Sequence, residues 1–387
     1  MVKPTGADGE KVFSKLTPGR RQQTRIRAAQ LGLDLQDAVT QAIREWLADD
    51  GDREPVATSG ATNFSTFLPL GLDEEFRNAA SSRRVALTQG LAQAIDGWLK
   101  NHPPSKRPRN AGSPTRLIVC NQKGGVGKTA VSAGLGQAIA ERGGRALLVD
   151  FDPQCHLTRQ LGRDSYDIEE PSLAKLMLGE EKKTKLSDLI VPVEHDMFGG
   201  RLFLLPGSAY AFLLDAKLAT APNLRIRETA LERELMKIEG EFDHIIVDCP
   251  PSLGYSMDNA LYYGRAREDE AEGEQSASGV VIVVQAEDSS ADAYDLLISQ
   301  IKDLTQDMNL RLERLGIVVN LFDQRRGYIA TSSLDQWRAL GTPPVIGVVP
   351  DLKEQREAVR VKEPLLVYSP DSPISNAMRA LARELTA

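Results

Sequence analysis

At 387 residues, with 41% hydrophobic and 26% charged side chains, the chain can bury a sizeable core and hold more than one folding unit. No N-terminal stretch joins a basic start to an apolar run of signal-peptide length, and no apolar run approaches the roughly 18 residues of a spanning helix, so a cytoplasmic protein is expected. The formal charge of −7 is uneven: residues 1–111 carry 16 basic against 13 acidic side chains and the remainder 31 against 41, which leaves the N-terminal third slightly basic.

That third contains an internal repeat. When residues 16–47 are laid on 68–99 at a constant offset of 52, ten positions are identical, including Leu16/Leu68, Arg25/Arg77, Ala28/Ala80 and Leu35/Leu87. The blocks Gln41-Ala42-Ile43 with Trp46-Leu47 and Gln93-Ala94-Ile95 with Trp98-Leu99 match throughout. The same offset pairs Val12 with Phe64 and Ser14 with Thr66, a period of two that puts a short strand before each helical part. Each unit reads strand, helix, helix, over about 12–48 and 63–100, with the polar residues 49–62 between them. If the strands pair, Val12, Ser14, Leu16, Phe64, Thr66 and Leu68 face inward, and Phe13, Lys15, Ser65 and Phe67 outward. The stripes Leu35, Val39, Ile43, Trp46 and Leu87, Leu91, Ile95, Trp98 can cover one another about a pseudo-two-fold axis.

Residues 101–114 hold four prolines and no apolar periodicity, and read as an interdomain linker. After them, continuous apolar runs at 117–120, 146–149, 202–205, 244–247, 280–284, 316–319 and 345–349 alternate with helical patterns, which predicts a doubly wound α/β domain over 115–387 with a mostly parallel sheet. The polar stretch 265–278 should be a surface loop. Cys120, Cys155 and Cys249 are too few and too scattered for a disulfide framework or a zinc pair, and should be small buried apolar residues.

The chemistry is carried by Lys123-Gly124-Gly125-Val126-Gly127-Lys128-Thr129, which follows the strand pattern 116–121 and opens a helix at Thr129-Ala130. Strand, glycine-rich loop and helix are the context a phosphate loop requires. Glycines let backbone N–H groups converge on phosphates, the helix N-terminus favours negative charge, Lys128 supplies a compact cation and the Thr129 hydroxyl can bind Mg²⁺. Gln122 stands where the ordinary phosphate-loop pattern has its first glycine, and a second lysine, Lys123, heads the loop instead.

The variant K-G-G-x-G-K-T resembles that of the deviant phosphate-loop ATPases to which ParA and MinD belong. Asp150-Phe151-Asp152-Pro153-Gln154 is similar to the family's D-x-D-P-Q element, and Asp248-Cys249-Pro250-Pro251-Ser252 to its D-x-P-P-S switch. The resemblance implies ATP and Mg²⁺ as cofactors, held by Gly124, Gly125, Val126, Gly127, Lys128, Thr129 and Ala130. Asp152 would position the attacking water, with Asp150, Asp248 and Thr129 at the metal. Asn320 would read adenine, with Pro350 opening the segment on its other side. Lys123 would reach across a two-fold interface to a partner's ATP, so that the ATP-bound state is a homodimer. The family's D-P-Q-G-N is broken here by Cys155-His156, and His156 is given no role.

ParA-like relatives bind DNA without sequence preference, and Asp323-Gln324-Arg325-Arg326 resembles their D-x-R-T segment, which puts Arg325 and Arg326 on DNA, with Lys353, Arg356, Arg360 and Lys362 adding to the same face. The C-terminal stripe Ile374, Met378, Leu381, Leu385 lacks large aromatics and a lysine-rich face, so it should pack on the domain rather than on a membrane. The N-terminal repeat resembles a tandem ribbon-helix-helix module, whose outward Lys15 would meet operator DNA with Arg20, Arg21, Arg25 and Arg27 near phosphates. The implied function is a nucleoid-associated plasmid or chromosome partition ATPase stimulated by a ParB-like centromere-binding partner. The rivals are an ATP-switched transcriptional repressor and a MinD-like positioning ATPase.

Overall fold

The structure, a computed structural model, describes residues 9–31, 33–49, 55–102, 114–220, 227–267, 277–287 and 289–386. Most of the expected linker at 101–114 and of the expected loop at 265–278 lies outside them. The chain divides into two compact units, Met1–Arg107 with Glu141–Gly143, and Pro108–Ala140 with Gly144–Ala387.

The first unit runs β1 (Gly9–Leu16), α1 (Pro18–Gln30), α2 (Leu35–Ala48), β2 (Thr62–Pro69), α3 (Leu72–Ser82) and α4 (Leu87–Asn101). The two strands form an antiparallel ribbon in which Val12 faces Thr66, Phe13 faces Ser65 and Lys15 faces Asn63. Because side chains alternate along a strand, one face of the ribbon buries Leu16, Phe64 and Leu68 while the other exposes Phe13, Lys15 and Phe67. Asp34 caps α2, accepting from the Asp37 N–H at 2.8 Å. The acidic first turn of α3, Asp73 to Glu75, suits the positive end of its helix dipole. Val39, Ile43, Trp46, Leu91, Ile95 and Trp98 form one core.

The repeat is used symmetrically. The Trp46 indole donates to Gln93 Oε1 at 3.4 Å and the Trp98 indole to Gln41 Oε1 at 3.3 Å, so equivalent residues of the two copies satisfy one another's buried polar atoms across the pseudo-two-fold axis. The arginines expected near phosphates are differently engaged. Arg20 forks onto Asp96 at 2.7 and 2.9 Å, Arg25 is buried, Arg27 donates to the carbonyls of Leu99 and His102, and Arg21 lies over the Phe64 ring. Periodicity shows which residues are charged but not which acids and carbonyls the fold brings opposite them.

The second unit runs β3 (Thr115–Cys120), α5 (Lys128–Glu141), β4 (Ala146–Asp150), α6 (His156–Gln160), α7 (Leu173–Leu178), β5 (Val191–Pro192), β6 (Leu202–Leu205), α8 (Leu214–Thr220), α9 (Ala230–Leu235), β7 (His244–Asp248), α10 (Tyr255–Tyr263), β8 (Gly279–Gln285), α11 (Ser289–Asp307), β9 (Arg314–Phe322), α12 (Tyr328–Ala339), β10 (Val345–Pro350), α13 (Lys353–Val361), α14 (Leu365–Tyr368) and α15 (Pro373–Leu385). Its described strands make one sheet in the order β10-β9-β8-β3-β7-β4-β6-β5. All neighbours are parallel except the edge strand β5, which pairs antiparallel with β6. The seven apolar runs are the parallel strands. Two residues long and ending in Pro192, β5 is too short to show a period.

Strand β3 lies at the sheet centre between β7 and β8, so the loop after it opens at the carboxyl edge, where open α/β sheets hold ligands. Helix α15 spends its stripe on the unit itself: Ile374, Met378 and Leu381 are buried, and a Cβ on Gly134 of α5 would lie 2.5 Å from Met378 Cγ. Among the described residues no helix is long and apolar enough to cross a membrane.

Candidate functional site

The loop between β3 and α5 is shaped by what takes its carbonyls. Lys128 Nζ donates to Lys123 O at 3.2 Å, the Gln285 amide to Gly125 O at 3.3 Å, and Asn320 Nδ2 to Val126 O at 2.8 Å. With the carbonyls held from behind, the peptide N–H groups are left for phosphates at the start of α5. Gly125 and Gly127 stand at φ +77° and +83°, conformations that a side chain strains. At Gly127 a Cβ would lie 2.1 Å from Asn320 Nδ2, so the loop and β9 approach only because that residue is glycine. Burial pulls the Lys128 ammonium below its usual value, and the Asp248 carboxylate opposes it.

Asp150 and Asp248 end the adjacent strands β4 and β7 and are register partners. Asp248 Oδ1 accepts from Ser132 Oγ at 3.0 Å, and Thr129 also donates to this carboxylate. Asp150 Oδ2 accepts from the Thr158 N–H at 2.8 Å and hydroxyl at 2.5 Å. The other oxygens, Asp150 Oδ1 and Asp248 Oδ2, are buried without a hydrogen-bond partner among the described residues. Burial drives Asp150 up to about 7 and, with Asp150 beside it, Asp248 up to about 8. Two buried carboxylates each with an open oxygen, beside a threonine hydroxyl, fit a small hard dication that keeps phosphate oxygens and waters as its other ligands. Among the described residues no set of three His, Cys, Asp or Glu side chains could hold a metal.

Asp152 lies two residues beyond the end of β4. It is buried, and its Oδ1 accepts from the Gln154 N–H at 2.8 Å. Cys155 adopts φ +53° and caps the start of α6. All three thiols are buried, and burial pushes Cys120 and Cys155 up to about 12 and Cys249 up as well, so they serve as packing.

A cleft of about 700 Å³ joins these groups. It is lined by Gly124, Gly125, Gly127, Lys128, Thr129, Ala130 and Asp152, together with residues the sequence did not single out for nucleotide: Gln154, His156, Arg159, Gln160, Pro251, Leu321, Gln355 and Val359. Arg356, Arg360 and Lys362 are exposed and also line the cleft. Lys353 pairs with Glu357. Asn320 is only 2% exposed, and its amide is spent on the back of the phosphate loop, while Pro350 ends β10 and Val126 is buried; none of the three lines the cleft. Lys123 Nζ lies 3.6 Å from Glu287, whose carboxylate also takes Arg326 at 2.5 Å. Arg325 forks onto Asp323 at 2.8 and 3.0 Å with its side chain 85% exposed.

A parallel α/β sheet with a lysine-bearing phosphate loop at its centre and two carboxylates on the neighbouring strand ends defines a phosphate-loop ATPase that uses ATP with magnesium. Comparison with known proteins narrows the class. Residues 115–314 match the family model described as an AAA domain, over half of the chain. The chain is similar to the chromosome-partitioning ATPase Soj of Thermus thermophilus, 33% identical over 273 residues that cover 70% of this chain and 95% of that one. It is likewise similar to the sporulation initiation inhibitor protein Soj of Bacillus subtilis, 28% identical over 70% of this chain and 98% of that one. The fold is similar to that of cobyrinic acid a,c-diamide synthase from Mycobacterium smegmatis with a bound ATP analog and magnesium, with a TM-score of 0.54, 29% identity and coverage of 70% and 93%. The chain belongs to the ParA/Soj-type ATPases.

Proposed function

We propose that this ATPase partitions DNA: it dimerises on ATP, holds DNA without sequence preference while dimeric, and is reset by a ParB-like partner that stimulates hydrolysis. The observation that carries the reading is the division of labour between two lysines. Lys128 is buried against its own loop and lines the cleft, whereas the signature Lys123 points its ammonium at Glu287, beside the arginine-bearing turn at Gln324–Arg326. A lysine on the loop that does not serve its own cleft suits contact with a second copy's nucleotide. In the cleft the chain's own residues do the positioning: the loop N–H groups and Lys128 receive the phosphates, and Asp152 orients a water for attack on the γ-phosphorus. Bound magnesium, held by Thr129, Asp248 and Asp150, supplies neutralising charge.

The N-terminal unit adds a second reading, operator binding and repression, because its exposed ribbon face presents Lys11, Phe13 and Lys15 opposite Phe67, Ser65 and Asn63. Partition is tested by sedimentation and turnover of two variants. Asp152→Ala should accumulate an ATP dimer that retains DNA, and Lys123→Ala should bind ATP yet stay monomeric. A Lys123→Ala chain that dimerises and hydrolyses normally would remove the trans role.

A further inference from the structure

We infer that Arg159 is a positioning residue for ATP hydrolysis, acting in the same chain through Asp152. The inference rests on the reading of Asp152 as the group that orients water.

The segment after β4 must turn sharply to deliver Asp152 to the cleft, and the bonds that shape the turn from Asp152 to Cys155 are local. The Gln154 N–H donates to Asp152 Oδ1 at 2.8 Å and the Cys155 N–H to Asp152 O at 2.8 Å. Cys155 then takes the left-handed conformation that starts α6. The intrahelical bonds begin with the Arg159 N–H on Cys155 O at 3.2 Å, so the carbonyl of Gln154 lies just outside the helix ladder. Arg159 takes it: its guanidinium reaches back and donates to Gln154 O.

Consecutive residues of α6 therefore reach back to the end of β4, Thr158 to Asp150 itself and Arg159 to the turn that follows Asp152. Thr158, facing inward, binds Asp150 Oδ2 with both its N–H and its hydroxyl, and its Oγ1 accepts from the Gly207 N–H at 2.9 Å. Arg159, facing outward, closes the turn whose other side carries the Asp152 carboxylate. Thr158 and its partners are buried. Arg159 is exposed and lines the cleft beside Asp152, Gln154 and His156. The planar guanidinium fork fixes the direction of its bond to the carbonyl, whereas an ammonium on a flexible stem does not. The turn that carries Asp152 is thereby held in place, and the effect falls on the hydrolytic step more than on binding.

The test uses the full chain with DNA present and separates nucleotide affinity from single-turnover hydrolysis. Arg159→Ala should hydrolyse bound ATP about tenfold more slowly, as small misplacements of a positioned group cost, while binding a non-hydrolysable ATP analogue within about twofold of the parent. Free guanidinium ion should restore part of the lost rate, and Arg159→Lys should fall between the two. An unchanged rate in Arg159→Ala, or a rate lost together with affinity and not restored by guanidinium, overturns the inference. Asp152→Ala run alongside separates the two levels. If it is inactive while Arg159→Ala is normal, only the role of Arg159 falls; if it hydrolyses normally, the assignment of Asp152 falls first.

Discussion

Replacing Gly127 by Ala puts one methyl group where the fold has least room for it. The residue sits at φ +83°, which costs an L side chain about 1–2 kcal/mol, and the new Cβ would lie 2.1 Å from Asn320 Nδ2. The amide cannot stay there. Moving it breaks its 2.8 Å bond to Val126 O and leaves a buried donor and acceptor unpaired, about 1–3 kcal/mol more. The substitution should thus destabilise the second unit by roughly 2–5 kcal/mol and weaken ATP binding, because the loop N–H groups are no longer held. Urea unfolding measures the first effect, with the relevant transition identified by its shift when ATP is added. Asn320→Ala makes room for the methyl, so in that background Gly127→Ala should cost only the backbone strain. The double-mutant cycle should therefore show a coupling of about 1–3 kcal/mol. Costs that add to within about 0.5 kcal/mol would refute the clash and with it the account of why this glycine is needed.

Lys128→Ala should lower ATP affinity by about tenfold to a hundredfold in calorimetry, the worth of a hydrogen bond to a charged group; unchanged affinity would move the nucleotide elsewhere. Arg325→Ala with Arg326→Ala should weaken binding of the ATP-bound protein to all duplexes alike. Each lost phosphate contact should lower the log–log salt slope by about 0.9, and an unchanged slope would place the DNA face on another surface.

The sequence shows the sheet because its parallel strands are buried on both faces and read as continuous apolar runs, and it shows the loop because glycine and lysine spacing there is dictated by backbone geometry. It shows the ribbon because Val12/Phe64 and Ser14/Thr66 repeat the same alternation. What it hides are contacts between residues distant in the chain. Nothing near Asn320 says that its amide lands on Val126, and nothing in a charged helix says that Arg356 and Arg360 stand at the rim of a cleft. Gln285 is invisible for the same reason: its amide reaches Gly125 across 160 residues. Arg159 stands one residue from Thr158 in an unremarkable stretch, and only the turn at Cys155 brings it back over Gln154.

Glu287 joins the two basic groups on which the partition reading depends, and the pairing has a measurable consequence. Its carboxylate lies 3.6 Å from Lys123 Nζ and 2.5 Å from Arg326, with side-chain exposures of 38% for the acid and 23% for the lysine. If Lys123 must leave this carboxylate to meet a second copy's phosphates, the lost pair counts against dimerisation. A partly exposed ion pair is worth about 0.2–1 kcal/mol, and a two-fold dimer gives up one in each copy, so the opposition is about 0.4–2 kcal/mol, equivalent to a factor of roughly 2–30 in the dimer constant. Glu287→Gln keeps the shape and removes the charge. Placed in an Asp152→Ala chain so that hydrolysis does not drain the complex, it should tighten the ATP dimer by that factor at low salt, and the gain should shrink as salt screens the pair in the parent. A dimer that is weaker than the parent's would mean that Glu287 supports the assembled state and does not restrain Lys123.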